Sequence, residues 1–126
     1  MAEAVQRKFF QEVEKFKGLQ KDIQKYALAR QRLDGQLSET KNVKEEVDIL
    51  EPETGVYKLI GPALVKQDLE EAKQNVNKRI DYINGELQRH DKIIDDLNKK
   101  MDDQREVVSK IKQQLDQFEV KATLKS

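Results

Sequence analysis

The second half of the chain carries an unbroken alternation of four- and three-residue steps between seam positions. Most of these positions are apolar, and the residues between them are nearly all polar. A 3.5-residue period sustained over many turns is typical of a coiled-coil seam, and it predicts a long helix over about residues 68–119. The seam positions are Val76, Ile80, Ile83, Leu87, His90, Ile94, Leu97, Met101, Gln104, Val108, Ile111, Leu115 and Phe118.

The first half repeats this pattern with more polar interruptions, and it predicts a helix over about residues 3–50. Val43, Val47 and Leu50 are expected to carry the apolar face onward from the seam. Gly18 and Gly35 each cost a helix interior about 1 kcal/mol relative to alanine, so this helix is the softer of the two. Its seam positions are Phe9, Glu12, Phe16, Leu19, Ile23, Tyr26, Arg30, Leu33, Leu37 and Thr40.

Between the two helices the period changes. Two five-residue β-prone runs flank Gly61-Pro62, which predicts one β-hairpin over about residues 56–67. Asp68 then suits the N-cap of the second helix. The dipeptide Asn84-Gly85 would ordinarily indicate a turn, but the seam stays in phase across it, so the helix is expected to continue.

The two helices have similar predicted lengths, and a compact hairpin joins them. Packing them antiparallel buries both seams within one chain. The predicted fold class is therefore mainly α: a long antiparallel two-helix coiled coil with a single β-hairpin at the helix–helix connection. We expect residues 1–126 to form one domain, with a frayed C-terminal tail at 120–126. The alternative is a parallel homodimer in which the hairpin only interrupts a rod.

Charge and composition narrow the function classes. Lys plus Arg number 24 and Asp plus Glu number 24, so no basic excess points to nucleic acid or to an anionic membrane. The chain has no cysteine. Neither a secretory signal at the start nor an apolar run of about 20 residues is found, so we expect a cytoplasmic protein without a membrane partner.

Catalytic chemistry finds little support in the sequence. Gly61-Pro62 lacks the Lys-Ser/Thr pair of a phosphate-binding loop, and no set of nucleophile, base and acid is apparent. His90 is the one histidine, so a metal site has no second imidazole, and the histidine is expected to be a tolerated or register-setting seam residue. We expect no enzyme activity, no metal and no cofactor.

The hairpin is the first candidate binding surface. An isolated two-stranded hairpin is marginal in water, and its free strand edges are templates for pairing. One interpretation is that the hairpin merely caps the coiled coil. Its apolar content favours assembly with other subunits through a β-sheet. The candidate assembly residues are Val56, Tyr57, Leu59, Ile60, Leu64 and Val65.

The second candidate is an apolar tip at the far end of the coiled coil from the hairpin. Phe9 and Phe10 are adjacent, so they cannot both face the seam. Ordinary core residues with a few surface apolar ones would explain this cluster, and so would a surface that grips apolar segments of another protein. The candidate residues for binding are Phe9, Phe10, Val13, Val107, Val108, Ile111, Leu115 and Phe118.

A resemblance to a known family rests on the hairpin and its flanks. The order helix, single hairpin, helix, with residues 56–67 reading VYKLIGPALVKQ, resembles the beta class of prefoldin, and residues 42–46 (NVKEE) look like the same family. The resemblance covers nearly the whole chain. Its specific part is the hairpin, because coiled-coil heptads match many unrelated proteins. Alpha-class members have two hairpins, so the single one here favours the beta class.

The resemblance implies a function as well as a fold. Prefoldin is a heterohexamer of two alpha-class and four beta-class subunits whose hairpins join into a β-barrel. Coiled coils hang from the barrel, and their tips hold unfolded chains, notably actin and tubulin, for delivery to the cytosolic chaperonin without ATP. By position, the resemblance implies that the hairpin residues become barrel strands. It likewise implies that the tip residues, together with Val5, become contacts to the unfolded chain. The competing hypothesis is a coiled-coil tether or spacer without chaperone activity.

Overall fold

The computed structural model describes residues 2–51, 53 and 55–125, and of Lys125 it describes the backbone alone. The elements follow in the order α1 (Ala2–Asp48), β1 (Val56–Ile60), β2 (Ala63–Gln67) and α2 (Leu69–Lys125). The predicted fold class, two long helices with one antiparallel β-hairpin between them, is confirmed.

The seam predicted for α1 is the face that α1 buries. Every one of its positions from Phe9 to Thr40 is half-buried or buried. One expectation beyond Thr40 is wrong: Val43 is exposed, and Lys44 is half-buried in its place. Lys44 tolerates this position because its long apolar stem can be covered while its ammonium group donates a 2.9 Å hydrogen bond to Oδ1 of Asn77.

The seam predicted for α2 is also buried or half-buried at every position, and the helix runs through Asn84-Gly85 without a break. Asp68 directly precedes α2, and its carbonyl oxygen accepts a 2.9 Å hydrogen bond from the backbone nitrogen of Ala72, as at a helix start. α2 continues beyond the expected end near residue 119 as far as Lys125, and Ser126 lies outside the described residues. Whether the tail from residue 120 frays stays a prediction. Its residues are mostly good helix formers, so the end of the seam does not end the helix.

The hairpin is a tight one. Ile60 pairs with Ala63, which leaves Gly61 and Pro62 as a two-residue turn, and the register extends to Val56 opposite Gln67. Gly61 has a φ of 59°, which a residue with a Cβ rarely adopts. Proline fixes φ near −65°, so the pair fits a type II′ turn, in which glycine precedes a residue of negative φ.

Two compact units make up the chain. The terminal unit comprises Met1–Leu28 and Asp91–Ser126, and the hairpin unit comprises Ala29–His90. In the hairpin unit, a small core forms where the helices meet the strands: Val47, Leu69 and Ala72 are buried, and Leu50 and Val56 pack against them. This core anchors the base of the hairpin to the helices. Whether the two units behave as one domain stays a prediction.

Within the terminal unit, α1 and α2 run antiparallel. Val5 and Phe118 line one pocket, Glu12 is hydrogen-bonded to Gln104, and Ile23 lines another pocket with Met101. As the residue number rises along α1, it therefore falls along α2.

Candidate functional site

The predicted assembly residues divide between the two faces of the hairpin. Alternation along the strands places Tyr57, Leu59 and Leu64 on one face, since Leu59 and Leu64 are paired across the strands. Leu59 is 68% exposed and Leu64 is 70% exposed, and Tyr57 is exposed beside them. This face, which we call the outer hairpin face, therefore carries three exposed apolar side chains, with Lys66 opposite Tyr57.

The opposite face carries the other three predicted residues, Val56, Ile60 and Val65. Val56 packs on the small core of the hairpin unit, whereas Ile60 and Val65 near the turn are exposed. The sheet has two strands among the described residues, so each strand keeps one unpaired edge. Exposed apolar side chains on both faces, together with two open edges, give this element several ways to pair with another sheet.

The predicted tip residues lie in the terminal unit, and the structure separates them by exposure. Phe10 is 67% exposed, and Val107 is exposed too. Their sequence neighbours Phe9 and Val108 are half-buried in the seam. The rings of Phe9 and Phe10 meet edge to face with centroids 6.3 Å apart. The adjacent aromatic pair thus holds one ring in the seam and one outside it.

The remaining tip residues belong mostly to the packing between the helices. Ile111 is buried, with 6% exposure. Val13 and Leu115 are half-buried, as are Val5 and Phe118, which line a shared pocket. The tip therefore combines an interior seam with a few exposed apolar side chains, and their contact with another protein stays a prediction.

A polar layer that the seam pattern did not resolve lies beside the tip. Nε2 of Gln104 donates to the backbone oxygen of Glu12 at 2.8 Å and to the carboxylate Oε2 of Glu12 at 2.6 Å. The hydrogen bond from Gln104 is the largest influence on the pKa of Glu12, which lies below its ordinary value of 4.5. Lys15 acts in the same direction, and partial burial opposes both.

Next to this layer, the guanidinium of Arg105 lies over the ring of Phe16, with its central carbon 5.7 Å from the ring centroid. This is within the range of a cation–π interaction, and it covers one side of a half-buried aromatic ring. Phe16 was a predicted seam position, but its pairing with Arg105 depends on the register between the helices.

His90 has the structural surroundings expected of a seam residue. It is buried, and its Nδ1 donates a 2.8 Å hydrogen bond to the carbonyl oxygen of Glu86, one turn earlier in α2. Across the described residues, no group of three or more histidine and carboxylate side chains is placed to hold a metal ion. In the same part of the chain, neither helix is long and apolar enough to cross a lipid bilayer.

Antiparallel helices joined through a β-hairpin with open edges define a class of coiled-coil hairpin proteins. Residues 11–118 match the sequence profile described as prefoldin subunit. Since this match spans most of the sequence, the chain belongs to the prefoldin subunit family. The resemblance drawn from the hairpin is thereby confirmed.

Individual relatives agree with this assignment. The chain is 45% identical to prefoldin subunit 6 of Mus musculus over 114 residues, which cover 90% of each chain. It is 50% identical to prefoldin subunit 6 of Arabidopsis thaliana over 97 residues, covering 77% of this chain and 75% of the relative. Proteins of this family are chaperone components that assemble with other prefoldin subunits.

The fold is shared with solved structures. The prefoldin beta subunit from Thermococcus strain KS-1 superposes with a TM-score of 0.75, covering 82% of this chain and 90% of that one, at 19% identity. The beta2 subunit from the same source gives a TM-score of 0.62 at 18% identity, covering 73% of this chain and 98% of that one. At these identities the likeness concerns the fold.

Proposed function

We propose that this chain is an ATP-independent co-chaperone subunit. It joins alpha-class and beta-class prefoldin subunits in a cytoplasmic heterohexamer through its β-hairpin. Its apolar tip holds unfolded or nascent proteins, actin and tubulin among them, for delivery to the cytosolic chaperonin. The observation that carries this proposal is the exposed apolar surface on both faces of a hairpin with free edges, in a member of the prefoldin subunit family.

Weak contacts at each tip suit such a role. Phe10 and Val107 offer a small exposed apolar surface, so a single tip is expected to bind an unfolded chain weakly. Several tips on one platform raise the effective concentration of binding sites and supply avidity without a deep pocket. Weak individual contacts also permit release without nucleotide hydrolysis.

Assembly is tested by placing charge on the outer hairpin face. Leu59→Asp with Leu64→Asp should abolish co-assembly with an alpha-class prefoldin subunit, because two carboxylates would be desolvated in the interface between the subunits. The control is Tyr82→Asp, a change at another exposed apolar side chain of the hairpin unit. Light scattering of the mixed subunits reports the mass. Co-assembly of the doubly substituted chain would overturn the proposed role of the hairpin.

Client holding is tested in the assembled complex. Phe10→Ser with Val107→Ser removes exposed apolar groups of the tip, and Leu28→Ser removes one of similar exposure elsewhere in the terminal unit. The tip variant should suppress the aggregation of chemically denatured actin less well than wild type, while Leu28→Ser should match wild type. Equal suppression by wild type, the tip variant and Leu28→Ser would contradict the proposed role of the tip.

A homodimeric rod without affinity for denatured actin would instead support the tether hypothesis.

A further inference from the structure

A pocket of about 320 Å³ lies in the terminal unit, where α2 meets the start of α1. Val5 contributes from α1. The α2 side of the pocket is formed by Gln114, Gln117, Phe118 and Lys121. Their spacing of three, four and seven residues from Gln114 places these four on one face of the helix. The pocket is therefore built from a regular helix face and a single residue of the facing helix.

The lining of this pocket has two chemically distinct parts. Val5 and Phe118 are half-buried and supply an apolar base, whereas Gln114 and Gln117 are exposed. A glutamine amide carries two donor hydrogens and an acceptor oxygen, the same kinds of group that a peptide bond presents. A carboxylate only accepts and an ammonium only donates, so either would satisfy half of a peptide group.

The small charge of the lining also suits peptide groups as the ligand. Charged residues make up 38% of the chain, yet two uncharged amides line this pocket beside the single charge of Lys121. Neutral amides match neutral peptide groups, and they neither attract nor repel the charged side chains that flank an apolar residue in an arbitrary sequence. The extra donors of Lys121 suit peptide carbonyl oxygens.

We propose that this pocket binds an extended segment of an unfolded chain by its backbone as well as by a side chain. One apolar side chain occupies the base between Val5 and Phe118, while Gln114 and Gln117 form hydrogen bonds with the adjoining peptide groups. The inference rests on the proposed function and specifies what part of a client is recognised. More than about 90% of buried peptide groups in folded proteins already have partners, so unpaired ones mark an unfolded chain.

The test uses the assembled complex and two synthetic peptides. One peptide alternates leucine and serine, and the second has the same sequence with the backbone nitrogens beside its central leucine N-methylated, which removes donors and keeps the side chains. Because the natural chain has no cysteine, Ser109→Cys accepts an environment-sensitive fluorophore before assembly. The signal then reports binding at this subunit.

The decisive variant is Gln114→Met with Gln117→Met. Methionine is a good helix former of similar length, so folding is retained while the rim becomes more apolar. The variant should bind the unmethylated peptide roughly three- to tenfold more weakly, as expected for losing one or two net hydrogen bonds, and should no longer distinguish the two peptides. The matched control is Gln113→Met, an exposed neighbour that does not line the pocket.

If the tip bound unfolded chains through apolar side chains alone, the double methionine variant would not bind the unmethylated peptide more weakly than wild type. Methionine would then leave binding unchanged or strengthen it, and wild type would bind both peptides equally; either result overturns this inference alone. Binding of neither peptide by wild type, joined to a failure to suppress actin aggregation, would overturn the proposed function and the inference together. Phe118→Ser should weaken the binding of both peptides, because it removes the apolar base.

Discussion

Gln104 of α2 reaches across to α1 and donates to Glu12 twice, once to its backbone oxygen at 2.8 Å and once to its carboxylate at 2.6 Å. The Glu12 side chain is only 13% exposed, although it carries a charge. A polar pair inside an apolar seam is stabilising in one register and costly in others, because a shift along the seam separates the partners. This pair therefore favours the observed register beside the tip.

Breaking the pair from one side should destabilise the chain. Gln104→Leu leaves the Glu12 carboxylate against an apolar side chain without its strongest donor, so we expect the melting temperature to fall by about 2–5 °C. The double variant Glu12→Leu with Gln104→Leu should recover wild-type stability or exceed it, because it continues the apolar seam. Thermal unfolding followed by circular dichroism measures both. Equal losses in the single and double variants would contradict this account of the pair.

The same pair should make stability depend on pH. The folded pKa of Glu12 lies below its ordinary value of 4.5, so the ionised carboxylate favours folding. This contribution is complete above that ordinary value and is lost as the pH falls through the lowered folded value. The advantage of wild type over Glu12→Gln in melting temperature should therefore shrink between pH 7 and about pH 3. In chains that also carry Gln104→Leu, this pH dependence should be weaker. A melting-temperature advantage of wild type over Glu12→Gln that stays constant from pH 7 to about pH 3 would refute the prediction.

Replacing each of two glycines by alanine should have opposite effects on the stability of the fold. A Cβ added at Gly18 meets nothing within 4 Å in the described part of the chain, and Gly18 lies inside α1, so Gly18→Ala should stabilise by about 0.5–1 kcal/mol. Gly61 also has open space, but its φ of 59° strains any residue with a Cβ, so Gly61→Ala should destabilise. Urea unfolding separates the two. Stabilisation by both substitutions would show that the turn does not need glycine.

Burial divides the predicted tip residues into structural and accessible ones. Ile111→Ala removes a buried side chain and should lower the free energy of unfolding by about 2–5 kcal/mol. Phe10→Ala removes a larger but exposed side chain and should change it by about 0.5 kcal/mol or less. Urea unfolding of the two variants checks the contrast. A large loss for Phe10→Ala would mean that its ring supports the packing of the helices.

The predictable parts of the fold are those with local signals. The 3.5-residue spacing located both seams, and Gly61-Pro62 located the hairpin turn, because each feature depends on residues that are close in sequence. Lys44 rather than Val43 continues the seam because it lies four residues after Thr40 and three before Val47, so the spacing itself places it there and the preference for an apolar residue at 43 was misleading. The helical residues beyond 120 were missed because the end of a seam was taken as the end of a helix.

The candidate surfaces depended more on information that one sequence lacks. Adjacent phenylalanines indicate that one leaves the seam, but only the packed helices show that it is Phe10. Glu12 and Gln104 were both recognisable as polar seam residues. Their pairing depends on the offset between the helices, which the spacing within either helix does not specify. The amides at 114 and 117 carry no pattern of their own until Val5 is placed opposite them.

The hairpin has a consequence for how the cell must handle this polypeptide. The hairpin has two open strand edges among the described residues and exposed apolar side chains on both faces. A copy that does not assemble with other subunits is therefore itself prone to aggregate. We therefore expect synthesis of this chain to be matched to that of its counterparts, and surplus copies to be degraded rather than stored.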